Sequence, residues 1–254
     1  MYDYAKEKFL QFINSNFDIN DKKIEHKLNH TFHVVDNAIY ICNKMNLSNE
    51  DKNIAMIIAL LHDIGRFEQA KEFKSFREDI TNFDHATLGT KILFEKNLIR
   101  TFLTDEQYDS IIKVAIANHS KYELETNMMS EREIMHSKII RDADKLDSFR
   151  AKKEDDIYVM ANITKEEIEN SLISDNIFED IMNEKTILSK SRKTAIDIWI
   201  SYIAFVFGLY FDVSLEYIKE KNYINILIDR FDYKIPETKD KMEQIRKKIN
   251  EYID

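Results

Sequence analysis

The sequence IAMIIALLHDIGR at residues 54–66 joins a run of apolar residues to a His-Asp pair. Because the run is apolar on every side, it predicts a central, buried helix. An ionised aspartate at the end of such a helix is costly unless it is paired or bound to a metal. Successive helical residues diverge by about 100°, so His62 and Asp63 can reach one point only from the helix end. We expect Gly65 to break the helix there and to free that approach.

The composition outside this stretch predicts an all-α fold. The chain has 254 residues with 44% hydrophobic content, but only three glycines and one proline. All-β and Rossmann-type folds need more turn glycine, so helices joined by short polar loops are favoured. The predicted helices lie near residues 2–15, 27–46, 49–64, 84–97, 105–120, 131–151, 165–173, 190–211, 213–230 and 237–252.

Four possible capping boxes support these helix starts. In each, a serine or threonine precedes a glutamate, aspartate or glutamine by three residues; they begin at Ser48, Thr104, Ser130 and Thr164.

The histidines divide the chain into two parts. The last of the seven is His136, and a mixed-sign charge run at 152–156, expected to be a solvated face, follows it. We predict a histidine-bearing domain at 1–150 and a helical C-terminal extension at 151–254, packed on it as one compact unit.

Charge and cysteine content exclude several functions. The net charge of −9 and pI of about 5.4 argue against polymeric nucleic acid as a partner, although a metal could attract a small anionic substrate. The single Cys42 excludes an internal disulfide framework and thiolate zinc sites, and we expect it to fill the core. The N-terminus lacks a signal-peptide core, and the apolar stretch 198–211 is too short to span a bilayer. We therefore expect a cytoplasmic protein without a membrane partner.

The orientation of the histidines separates candidate ligands from surface residues. Residues three and four apart share a helix face, and two histidines lie on apolar faces, His30 and His119. The three expected to point away from the core are His26, His33 and His136. With His62, Asp63 and His85, the inward histidines indicate a metal centre, and Gly89 could let a second ion approach the backbone. Imidazole and carboxylate ligands without thiols suit one or two Fe, Mn or Zn ions, with Mg as an additional candidate.

These motifs resemble the HD superfamily of metal-dependent phosphohydrolases. His30 with Val34, the segment 60–66 (LLHDIGR) and the segment 140–147 (IRDADKLD) reproduce the order H…HD…D over roughly residues 27–150. The resemblance implies an HD-domain helical bundle, to which the C-terminal residues add further helices.

Two further segments look like the extra histidines of HD proteins that hold two metals. They are DHA with Gly89, around His85, and AIANH, which ends at His119. The pattern is similar to diiron dinucleoside-polyphosphate hydrolases and to HD-GYP phosphodiesterases, but it departs from the latter because His119 is followed by Ser120 and the GYP segment is missing. The implied ligands, with Asp63 bridging, are His30, His62, Asp63, His85, His119 and a final aspartate.

Two residues compete for that last position. The resemblance to the "AD" helix of HD hydrolases favours Asp144. The helical wheel favours Asp142, which lies nearer the apolar stripe of its helix. Both are retained as candidates, with Asp144 preferred.

The resemblance implies hydrolysis of a small phosphate ester, most simply a nucleotide or dinucleotide, by a metal-activated water beside Asp63. Arg66 and Arg150 are candidates to hold phosphate oxygens, with Lys145 a weaker third. The alternatives are a diiron oxygenase of a small polyol or phosphonate, built on the same ligands, and a non-catalytic nucleotide-binding module.

Substrate specificity is expected to come from loops at 66–83 and 120–130. The aromatic residues between Trp199 and Tyr210 are interpreted as core, with a base-stacking pocket or a dimer surface as the alternatives. A homodimer is compatible with the sequence.

Overall fold

The computed structural model describes residues 1–77 and 83–254, and every regular element within them is helical. The predicted all-α class is confirmed. The chain forms two compact units, Met1–Asp147 and Ser148–Asp254, and the boundary falls inside one long helix.

The first unit carries all of the histidines. Its helices are α1 (Tyr2–Asn16), α2 (Lys22–Lys44), α3 (Asn49–Leu61), α4 (Ile64–Phe73), α5 (His85–Thr90), α6 (Ile99–Phe102), α7 (Asp109–Asn118) and the long α8 (Glu131–Glu154), which continues into the second unit. A π-helical turn, Lys91–Glu95, extends α5.

The second unit is built from shorter helices. They are α9 (Ile157–Ala161), α10 (Lys165–Glu169), α11 (Asp175–Met182), α12 (Ala195–Ile203), α13 (Asp212–Glu220), α14 (Tyr223–Ile228) and α15 (Pro236–Ile253), with 3-10 turns at Ser189–Ser191 and Ala204–Gly208. None of the helices in the described residues has the length and apolar composition needed to cross a bilayer.

Helix α3 is the centre of the first unit, as its apolar sequence predicts. Its side chains from Ile57 to Leu61 are at most 1% exposed, and the helix packs against α1, α2 and α7. Since burying a large aliphatic side chain contributes about 1.5–3 kcal/mol, this packing fixes where the end of α3 lies. Cys42 on α2 is also buried, as expected for a core residue.

The chain turns at His62–Asp63, so that α3 ends three residues earlier than predicted. Helix α3 ends at Leu61, and Asp63 leaves helical geometry with φ −102° and ψ 19°. A new helix, α4, begins at Ile64 and contains Gly65. The expectation that Gly65 breaks the helix was therefore wrong, and so was the prediction of a loop from residue 66, because α4 runs to Phe73.

Two of the four predicted capping boxes form completely, at Ser130 and Thr164, and the one at Ser48 forms in part. Ser48 accepts from the Asp51 amide, and Ser130 and Thr164 exchange hydrogen bonds with the glutamates three residues on. The box at Thr104 was wrong, because Asp105 instead accepts from the Gln107 amide in a turn and α7 begins only at residue 109.

Several predicted helix boundaries also differ from the structure. Helix α2 begins five residues early because Asp21 caps its first turn. The predicted helix 213–230 is broken at Asn222, whose φ of 53° lies in the left-handed region. The predicted helix 190–211 is shorter, and both of its flanks form 3-10 turns.

The aromatic stripe of the second unit is core only in part. Trp199 is fully buried and packs edge-on against Phe231, whereas Tyr210 is 37% exposed. A partly exposed side chain contributes less hydrophobic stabilisation than a buried one. Trp199 therefore contributes more to the core of the second unit than Tyr210 does.

Candidate metal centre

His62 and Asp63 stand at the junction of α3 and α4, and both are buried. His62 Nδ1 lies 2.7 Å from the Ala59 carbonyl oxygen, which can only accept, so Nδ1 carries the proton. The His62 Nε2 lone pair is therefore free to bind a cation, and this buried atom has no hydrogen-bond partner.

His30 approaches the same point from α2. Its Nδ1 lies 2.6 Å from Asp147 Oδ2 on α8, a contact that fixes the orientation of the ring. Its Nε2 lies 3.2 Å from Asp144 Oδ1 and 3.5 Å from Asp63 Oδ2.

His85 and His119 approach from the other side of Asp63. The His85 and His119 Nε2 atoms lie 3.3 and 3.6 Å from Asp63 Oδ1, and 2.9 Å from each other. His119 Nδ1 lies 2.7 Å from the Ile116 carbonyl oxygen, so His119 Nε2 carries a lone pair, as in His62.

The two oxygens of Asp63 thus face two different sets of ligands. We define group A as His30, His62 and Asp144 together with Asp63 Oδ2, and group B as His85 and His119 together with Asp63 Oδ1. His62 lies between the groups, because its Nε2 is within 4.8 Å of donor atoms in both. Asp63 therefore presents one carboxylate oxygen to each group.

Two glycines allow the close contact between α4 and α5 that positions His85 of group B. A Cβ on Gly65 would lie 2.2 Å from the His85 carbonyl oxygen and 3.0 Å from the Gly89 amide nitrogen. Helices α4 and α5 therefore touch through their backbones, which holds His85 beside Asp63. The backbone of Gly89 faces Gly65, so its role is helix contact and not the ion approach that we expected.

The donor atoms fit divalent transition-metal ions. The buried His62 Nε2 has no hydrogen-bond partner, which is unfavourable unless a cation lies beside it. Nitrogen and oxygen donors without thiolate suit Fe, Mn or Zn.

The charges of the centre are strongly coupled. Burial lowers the pKa of His62 to about 4, so this imidazole is neutral at pH 7. Burial would raise the pKa of Asp63, but Lys27 and the surrounding histidines hold it well below its usual range. Burial and Lys27 also oppose a charge on His30, yet Asp144, Asp147 and Asp63 raise its pKa to about 10.

Lys27 is a member of the site that the sequence analysis missed. Its Nζ lies 2.6 Å from Asp63 Oδ2, and its side chain is only 11% exposed. The available signal was its position three residues before His30, on the same face of α2. Asp147 was included in the segment 140–147, but its contact with His30 Nδ1 was not predicted from the sequence.

Of the two candidates for the last ligand, the structure brings Asp144 to the centre. Its pKa is held far below the usual range because the hydrogen bond to His30 outweighs burial. Asp142 is completely buried and interacts with Lys145. Among the described residues, Asp142 is not part of a cluster of His and Asp donor atoms that all lie within 4.8 Å of one another, whereas Asp144 is.

The three candidate phosphate-binding cations occupy different positions. Arg66 Nε lies 3.9 Å from Asp63 Oδ1, while its Nη1 donates to Gln69 and to the Phe76 carbonyl. Lys145 follows Asp144, and burial together with Arg141 lowers its pKa to about 8. Arg150 lies in the second unit.

Within the second unit, the guanidinium of Arg150 donates to the carboxylates of Glu154 and Asp155 at 3.0 and 3.4 Å.

The remaining histidines follow the predicted orientation with one exception. His26 and His33 are partly exposed, as expected, but His136 is completely buried. That expectation was wrong because His136 Nε2 contacts Asp51 Oδ1 at 3.2 Å, so an acidic partner on α3 offsets part of the cost of burial.

The loops expected to govern specificity are only partly described. Residues 74–77 follow α4 without regular structure, whereas 78–82 lie outside the described residues. Residues 120–130 form an irregular connection between α7 and α8.

Comparison with protein families gives one match: residues 28–148 match the model described as HD domain. Neither curated proteins nor solved structures gave a match. The matched segment runs from the second turn of α2 to α8 and includes every residue of groups A and B. Residues 28–148 of this chain are therefore an HD domain, the domain that characterises a superfamily of metal-dependent hydrolases.

Proposed function

We propose that the chain hydrolyses a small phosphate ester, with a nucleotide or dinucleotide as the substrate class. The observation that carries this proposal is the orientation of Asp63, whose two oxygens face separate sets of imidazoles. Two divalent ions, when bound, supply an activated water and neutralise charge on the phosphoryl group. His30, His62 and Asp144 would hold one ion, and His85 and His119 the other.

The side chains next to the ligands support an anionic substrate. The protein carries a net charge of −9, so a phosphate needs local positive charge to approach. Lys27 and Arg66 place an ammonium and a guanidinium beside Asp63. A guanidinium can bind two phosphate oxygens at once, and we assign Arg66 to hold non-reacting oxygens while Lys27 neutralises their charge.

An aromatic ring next to these cations favours a nucleotide over a sugar phosphate. The centre of the Phe76 ring lies 5.3 Å from Lys27 Nζ and 5.4 Å from Lys23 Nζ. The backbone carbonyl of Phe76 accepts a hydrogen bond from Arg66. A compound that carries both a phosphate and a flat base could use the ammoniums and the ring together.

The proposal is tested by phosphate release from metal-reconstituted protein. The screen supplies nucleoside monophosphates, cyclic dinucleotides and dinucleoside polyphosphates with Mn²⁺, Fe²⁺ or Zn²⁺, in air and without oxygen. The His62→Asn variant should lose about 10³-fold in rate, since an ion supplies several kcal/mol of transition-state stabilisation. The matched control, His33→Asn, changes a partly exposed histidine on α2 and should keep the wild-type rate.

The outcomes also separate the alternatives. Retained turnover in His62→Asn would contradict the site. Turnover that requires iron and consumes O₂ would replace hydrolysis by oxygenation, and tight nucleotide binding without turnover would indicate a binding module.

A further inference from the structure

A buried arginine lies next to the backbone of His119, a member of group B. Arg141 on α8 is only 4% exposed. Its guanidinium donates to the carbonyl oxygens of Asn118 at 2.7 Å, His119 at 3.4 Å and Tyr122 at 3.2 Å. All three carbonyls belong to the end of α7 and the turn that follows it.

The Arg141 guanidinium provides hydrogen-bond donors for carbonyls at the C-terminal end of α7. The last carbonyls of a helix have no partner within the helix, and a cation is favoured there because the helix dipole places negative charge at that end. His119 is the C-cap of α7, and its ring is tied to the Ile116 carbonyl of the same helix. Whatever fixes the end of α7 therefore fixes the His119 ring as well.

Arg141 also links the two ligand groups. It precedes Asp144 by three residues on α8, about one helical turn, so one helix carries a ligand of group A and the support of a ligand of group B. The side chain of Arg132 offers a contrast on the same helix, because it pairs with Glu50 and Asp51 and is 37% exposed.

We propose that Arg141 is a positioning residue that holds the end of α7 so that His119 Nε2 faces Asp63 Oδ1. This inference rests on the two-ion centre of the proposed function. Loss of the guanidinium releases the carbonyls around His119 and weakens the group B ion, while group A keeps its own ligands. Removing the support of a metal ligand costs about 10–100-fold in metal affinity.

The experiment measures Mn²⁺ binding to the full-length, metal-free chain by equilibrium dialysis and mass spectrometry of the metal. The wild type should bind two ions. Arg141→Gln should bind the first ion as the wild type does and the second about 10–100-fold more weakly. Arg141→Lys, which keeps the charge but not the planar fork, should lie between them, and the control Arg132→Gln should match the wild type.

A double-mutant cycle separates positioning from general destabilisation. If Arg141 acts through His119, adding Arg141→Gln to His119→Asn should weaken metal binding no further. A purely structural role would instead lower the affinity of both ions in parallel, as well as the melting temperature of the metal-free protein. If Arg141→Gln does not fold, Arg141→Lys carries the same comparison.

Three outcomes would overturn the inference: wild-type affinity for both ions in the folded Arg141 variants, parallel loss of both ions, or additive effects in the cycle. A wild-type chain that binds fewer than two ions would overturn the inference and the two-ion centre together. A wild-type chain that binds two ions but releases no phosphate would contradict only the proposed hydrolysis.

Discussion

Groups A and B share one carboxylate, and each has one histidine held by a backbone carbonyl, His62 in group A and His119 in group B, but the other histidine of each group is held by a different force. In group A, His30 is held by Asp147 and faces Asp144, so its position and charge depend on carboxylates. In group B, His119 is held by a backbone carbonyl, and His85 by the contact between α4 and α5 at Gly65.

The two groups are therefore expected to lose their ions under different perturbations. Ionic contacts depend on protonation, so group A should respond to pH and to neutralisation of a carboxylate. A backbone contact depends on close packing, so group B should respond to added volume.

The largest effect is expected from Asp144 in group A. Asp144→Asn removes a charged ligand and should reduce the bound ions from two to one, with about 10³-fold slower phosphate release. Asp142→Asn, two residues away, should keep both ions. Metal content and steady-state rates measure both variants; loss of an ion in Asp142→Asn alone would make Asp142 the ligand.

A smaller effect is expected from added volume in group B. The Cβ of Gly65→Ala would collide with the His85 carbonyl at 2.2 Å, so α4 and α5 must separate. Overpacking of this kind costs about 1–3 kcal/mol, measured by urea unfolding, and the group B ion should be lost first.

The matched control for this change is Gly89→Ala, whose Cβ would meet its nearest neighbours only at 3.4 Å. It should be milder in both stability and metal content. Equal effects of the two substitutions would show that the close approach at Gly65 does not position His85.

A further effect is expected in the pH dependence of stability of the metal-free protein, which should have two opposite limbs. The pKa of His62 is lowered from 6.5 to about 4 by burial, so its contribution to stability is present above pH 6.5 and lost as the pH falls toward 4. The pKa of His30 is raised from 6.5 to about 10 by its carboxylate partners, although burial and Lys27 oppose the rise. Its contribution is therefore present below pH 6.5 and lost as the pH rises toward 10.

Urea unfolding of chelator-treated protein between pH 4 and pH 10 measures these limbs. His62→Asn should flatten the acidic limb, and His30→Asn the alkaline limb. An alkaline limb that persists in His30→Asn would show that His30 is not the group responsible.

The parts of the centre that the sequence predicted are those coded locally. The apolar run of α3 predicts burial by itself, and the ligand order around His62 and Asp63 is a linear motif. The inward faces of His30 and His119 follow from helical spacing, and both histidines are buried as predicted.

The parts that escaped prediction depend on partners distant in sequence. His136 is buried because Asp51 pairs with it across 85 residues, and Gly65 matters because the His85 backbone lies against it. Lys27 stands one turn from His30 but has a role only because Asp63 lies 2.6 Å away. Periodicity indicates which face of a helix is inward, but not which residue it meets.

The most direct test of the central claim is a count of metal ions in the wild-type chain. The protein is purified without oxygen and without an affinity-metal step, supplied with Fe, Mn or Zn, and analysed by inductively coupled plasma mass spectrometry. A centre in which Asp63 bridges groups A and B predicts about two ions per chain. One ion or none, after all three metals have been offered, would contradict it.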